Sequence, residues 1–163
     1  MMLAAMGVGA ALLVAGAVAA SWGRRRWVVV AVQGNSMLPT LHDGQRLVAR
    51  RLARAPAPGN GYSRSDVVVF VLPAKQRETL GTEELPYLIK WVAAVAGDPV
   101  PDWSRAALGA DGQSRVPPGK VVVSGDNARS QDSRQLGYGY IDAESIIAIV
   151  RLRLRGPEPS RTG

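Results

Sequence analysis

The chain has 163 residues, 47% hydrophobic and 20% charged, which suits one compact domain with its own core and excludes a disordered tail. It contains no cysteine and one histidine, His42, so disulfides, thiolate nucleophiles, Cys-based zinc sites and thiol-held clusters are excluded, and any Ser–His–Asp triad would have to run through that one residue. The formal charge is +7 and the pI is near 10.5, yet no helix-turn-helix, zinc finger or aromatic platform accompanies it, so an anionic membrane surface, not nucleic acid, is the expected partner.

From Met2 to Ala20 no side chain is charged or polar. At helical rise such a run spans about 28 Å, close to a hydrocarbon core of roughly 30 Å. Trp22 and Arg24-Arg25-Arg26 follow as interfacial anchors. A cleaved signal is the alternative, since Ala-Val-Ala-Ala supplies small residues, but Met1-Met2 lacks the basic start a signal wants. Residues 1–22 are therefore expected to form a transmembrane anchor. The arginine trio on its C-terminal side, taken alone, places the rest of the chain in the cytoplasm.

Residues 23–155 read as strands and turns. Strands are expected over Trp27–Val32, Gln45–Arg50, Asp66–Leu72, Tyr87–Val95, Lys120–Ser124 and Ile146–Leu154. Turn-rich stretches at Ala55–Gly61 and Pro99–Gly119 separate them, and neither a second helix of useful length nor an internal repeat is expected. The predicted fold is mainly β, with antiparallel sheets behind one N-terminal helix. Residues 156–163 are predicted to be a flexible tail.

Three segments carry candidate chemistry. Gly34-Asn35-Ser36-Met37-Leu38-Pro39-Thr40-Leu41 follows the first strand, and by itself reads as a loop. In Tyr87 to Asp98, strand alternation puts Lys90 on the face of Leu88 and Val92. A lysine among apolar neighbours loses solvation of its charged form, so its pKa falls and its amine becomes a usable general base. Only three of the twenty basic residues are lysine, and arginine cannot be deprotonated for such work. The third segment, Ser124 to Gly137, contains Gly125-Asp126-Asn127 and Ser130-Gln131-Asp132-Ser133-Arg134. It reads either as a polar loop with a surface ion pair or as the source of a hydroxyl that orients the lysine.

In order, Ser-Met-x-Pro-Thr-Leu, Ile-Lys-x-Val-x-x-x-x-Gly-Asp and Gly-Asp-Asn followed by Ser-x-Asp-Ser-Arg-x-x-Gly resemble the signature of type I signal peptidases, the membrane-anchored serine–lysine proteases, from about Val30 to Gly137. The resemblance implies Ser36 as nucleophile and Lys90 as general base, acting through an acyl-enzyme. It implies the Ser36 N–H as one oxyanion donor, with Gly34, lacking a hydroxyl, able to add only its N–H. Ser130 would orient the lysine, Asp132 and Arg134 would support it, and Met37 would pack beside the cleft. Pro39 belongs to the nucleophile motif, and Gly125, Asp126 and Asn127 would shape the third loop. No metal or other cofactor is implied. The implied partners are precursor proteins with signal peptides, cut after small residues, and membrane lipid. The implied location is a bacterial cell membrane, single-pass, with the catalytic domain on the extracytoplasmic face, against the arginine trio.

The chain departs from that pattern in places. Only Ala128 and Arg129 separate Gly-Asp-Asn from Ser130, where the family commonly has three residues, so Ser133 and Ser124 stay open as substitutes. Trp91 stands where the family often has arginine, and the Pro99–Gly119 stretch is brief, as in minimal forms. His42, six residues after Ser36 and before Asp43-Gly44, reads as a turn residue. The rival readings are a dedicated maturation protease for one precursor, such as that of nickel superoxide dismutase, a self-cleaving repressor, which would need an N-terminal DNA-binding domain where an apolar helix is expected, and a non-catalytic peptide-binding homologue.

Overall fold

A computed structural model of the protein describes residues 26–52, 61–81 and 87–154. The expected anchor at 1–22 and tail at 156–163 lie outside them. Among the described residues, no helix is long and apolar enough to cross a membrane.

The described residues form seven strands: β1 (Trp27–Ala31), β2 (Arg46–Arg51), β3 (Val67–Phe70), β4 (Leu88–Val95), β5 (Lys120–Ser124), β6 (Ile141–Asp142) and β7 (Ile146–Arg153). They join in one antiparallel sheet of order β1-β2-β7-β3-β4-β5-β6, where the sequence suggested more than one. The six runs expected as strands are the six longer strands. β6 has two residues, too few to leave a pattern.

The last strand slots between β2 and β3, and this makes β3 central. Its run Val-Val-Val-Phe is buried throughout. Val68 and Phe70 join one cluster with Val92, Tyr138 and Ile149, while Val67 joins Met37, Leu41 and Leu47 in another. A strand covered on both faces needs apolar side chains at every position, not at alternate ones. Each such side chain contributes about 1.5–3 kcal/mol by leaving water. The second cluster also fastens the segment around Met37 and Leu41 onto the sheet.

Two short helices were not expected: α1 (Ala74–Thr79), in a stretch given no assignment, and α2 (Asp102–Leu108), inside the Pro99–Gly119 stretch read as turn-rich. Each starts after a proline in extended conformation, Pro73 or Pro101, and α2 stops at Gly109 with φ 62°. Neither is long enough to show a helical period. A bulge between Val92 and Ala94 shifts the β4–β5 register. Beyond it, Ala94 and Val122 pack with Val100 and Val116 in a separate cluster, against which Leu108 of α2 rests.

Phe70 is fully buried at the centre of the sheet. Phe70→Ala is expected to cost about 3–5 kcal/mol, read as a lower urea midpoint with an unchanged slope.

Candidate active site

The segment between β1 and β2 is closed at its neck by the Val32 N–H on the Gln45 carbonyl at 2.8 Å and the Gly44 N–H on the Val32 carbonyl at 2.9 Å. Gly34 has φ +80°, a backbone state that suits glycine. Its N–H donates to Asp43 Oδ1 at 2.7 Å, so that donor is already engaged. Met37 is 1% exposed in the core below, and the exposed Pro39 follows a cis peptide bond. Between these anchors Ser36 lines a cavity of about 560 Å³. Its hydroxyl has no hydrogen-bond partner among the described residues.

Lys90 lies in β4, paired with Val68 of the buried central strand. It faces the same side as Leu88 and Val92, as alternation requires, and is 3% exposed. Burial pushes its amine down to about 8; the Asp132 carboxylate opposes this and Arg134 adds to it. Lys90 Nζ donates to Ser130 Oγ at 2.8 Å, and Ser130 is 4% exposed. Lys90 and Ser130 line the same cavity as Ser36.

The loop after β5 is held by one ion pair. Asp132 is fully buried and accepts Arg134 Nε at 2.8 Å, while Arg134 Nη2 closes the second arm of the fork. The same Nη2 reaches the carbonyls of Gly125 and Asn127 at 3.0 and 3.1 Å. Asp132 Oδ2 also accepts the Gly125 N–H at 2.7 Å. These contacts press Gly125 between the other two segments. A Cβ there would lie 2.3 Å from Ser130 Oγ and 2.5 Å from the Ser36 carbonyl oxygen, so only glycine permits the approach. Next to it, the Asn127 N–H donates to the Ser36 carbonyl at 3.2 Å, and Asn127 Nδ2 to the Asn35 carbonyl at 3.1 Å.

Of the residues singled out from the sequence, Gly34, Ser36, Met37, Lys90, Asn127 and Ser130 line the cavity. Gly125, Asp132 and Arg134 support it from behind, and Pro39 sits in the turn beyond. Asp126 is exposed and acts on Arg134 by charge alone. The choice among serines is resolved in contacts. Ser133 accepts the Val123 N–H and donates to the Gly139 carbonyl, Ser124 does not line the cavity, and it is Ser130 that meets Lys90. His42 is exposed, away from the cavity, with its N–H on Gln45 Oε1.

Sequence reasoning passed over Asp43, Arg129 and Tyr138. Asp43 caps the turn that Gly34 begins, and an Asp before Gly44 was a readable sign of it. Tyr138 lines the cavity while 1% exposed, with burial raising its phenol well above the ordinary range and a hydroxyl without a partner among the described residues. No spacing rule places it there.

The fold thus sets a serine and a desolvated lysine on one cavity of an antiparallel sheet. The chain matches the family of signal peptidase, peptidase S26, over residues 5–103 and 101–155, and it belongs to that family of serine peptidases. It is 30% identical to a signal peptidase I of Bacillus licheniformis over 142 residues, covering 71% of this chain and 69% of the relative. It is 28% identical to a signal peptidase I of Bacillus caldolyticus over 145 residues, covering 75% and 76%.

The lowered Lys90 value has a consequence for stability. Between about 8 and 10.5 the unfolded chain holds a proton that the folded chain does not, so stability rises with pH across that window and the full penalty applies below it. The difference corresponds to about 3 kcal/mol at pH 7. Lys90→Met, which removes the charge but leaves Ser130 without its partner, is expected to raise the urea midpoint at pH 7. The gain should shrink between pH 8 and pH 10.

Proposed function

We propose that the protein is a membrane-anchored endopeptidase that removes signal peptides from exported precursors through a Ser36–Lys90 dyad. The observation that supports this most is an amine near 8, 3% exposed, in the wall of the cavity that carries Ser36. Family membership supports precursor proteins with signal peptides as the substrates.

In this reading the neutral Lys90 amine takes the Ser36 proton as Oγ attacks the scissile carbonyl. The Ser36 N–H faces the oxyanion, a donor of this kind being worth roughly 3–4 kcal/mol. Gly34 adds its N–H only by exchanging Asp43 for substrate. Collapse breaks the C–N bond, and Lys90 returns the proton to the departing amine. Water, deprotonated by the same amine, then attacks the ester and frees Ser36. Ser130 keeps Nζ directed, and the Ser36 hydroxyl, without a partner among the described residues, turns toward it when substrate binds, as such contacts tighten then. The apolar run at 2–20 is the anchor, and the peptidase domain sits on the extracytoplasmic face, where exported precursors emerge.

The test is cleavage of an exported precursor, with Ala at the first and third positions before the cut, by full-length protein in detergent. Ser36→Ala and Lys90→Ala are each expected to lower kcat/KM at least about a hundredfold; survival of Lys90→Ala activity would overturn the dyad. A separate pH series should show kcat/KM rising about tenfold per unit and levelling above about 8, because the free amine is the active form and only about a tenth is present at pH 7.

A further inference from the structure

The cavity has two unlike walls. Strand β1 with Leu88 and Ile89 makes one apolar wall, whereas Asn35, Asn127, Arg129 and Gln131 make a polar one. Among the described residues, Lys90 and Arg129 are the charged ones lining it, and no carboxylate does. Arg105, Arg134 and Arg151 each meet an aspartate. The guanidinium of Arg129, by contrast, is exposed and has no hydrogen-bond or ion-pair partner among the described residues.

Its backbone is nevertheless fixed. The Arg129 N–H donates to Asn127 Oδ1 at 3.0 Å, and Asn127 is itself tied to Asn35 and Ser36. The following residue, Ser130, holds Lys90. The short Ala128-Arg129 link thus sets a five-donor fork, without a partner among the described residues, on the cavity that Ser36 lines, and such a fork matches a carboxylate in both shape and charge.

We propose that Arg129 is a specificity-determining residue that reads substrate charge just after the scissile bond, favouring an acidic side chain in the first two positions and disfavouring a basic one. The inference rests on the function proposed above. Small apolar residues before the cut suit the β1 wall, so the chain beyond Ser36 runs along the polar wall where Arg129 stands.

The experiment measures kcat/KM of the full-length protein in detergent on matched peptides with Ala-Gln-Ala before the cut and Glu, Gln or Lys at the second position after it. Wild type is expected to prefer Glu over Lys by roughly three- to tenfold, the scale of an exposed pair counted as attraction and repulsion together. Arg129→Gln should flatten the series and Arg129→Glu should reverse it. A merely structural role would lower all three peptides together and leave their order intact. The pH midpoint should stay with the wild type in both variants, because the charges acting on Lys90 are those of Asp132 and Arg134. An unchanged Glu-to-Lys ratio in Arg129→Glu overturns this proposal while leaving the peptidase reading in place. Failure of wild type to cut even the Gln peptide overturns both.

Discussion

Everything in the site depends on keeping one ammonium-forming group out of water. Lys90 is 3% exposed and pairs across the ladder with Val68 of the most buried strand, so the sheet shuts water out on one side while the amine meets the cavity on the other. The folded chain holds that amine at about 8. The cost falls on stability and the benefit on chemistry, because a lysine at its ordinary value would be almost wholly protonated near neutral pH. Ser130 gives Nζ a neutral hydroxyl to face. A carboxylate in direct contact would have restored the charge, and Asp132 instead directs its oxygens to Gly125 and Arg134.

That division of labour explains why the third loop is so heavily bonded. Asp132 and Arg134 neutralise each other behind the site, and their remaining contacts go to backbone groups of Gly125 and Asn127. The loop then touches the other two segments at once, Ser36 through Asn127 and Lys90 through Ser130. Gly125 sits where these contacts converge, with space for no side chain. From outside, Gln76 of α1 donates to the Tyr138 carbonyl and Gln131 to the Leu80 carbonyl, so the short helix braces the same loop.

Much of this was legible in the residues. Six of the strands announce themselves as β-branched or alternating runs, and strand alternation alone puts Lys90 beside Leu88 and Val92. The helices α1 and α2 were not legible, since six or seven residues complete barely two turns and carry no period. Strand β6 failed for the same reason of length. The role of Tyr138 depends on burial and has no local signature, whereas Asp43 before Gly44 left a local sign that went unused.

By itself the sequence determined which chemical groups this protein possesses: a serine in a turn, a lysine in an apolar strand, a Gly-Asp-Asn loop, and no thiol. Local propensity and pattern act over a few residues, so they carry that much. The tertiary structure alone decided that Ser130, and not Ser133 or Ser124, meets Lys90, that the Gly34 N–H is held by Asp43, and that Arg129 has no partner among the described residues at the cavity. Those outcomes follow from the order β1-β2-β7-β3-β4-β5-β6, which brings residues about ninety positions apart within hydrogen-bond reach, as Asn127 and Asn35 show. Hydrogen bonds and desolvation act across a few ångströms of space, however far apart along the chain their partners lie.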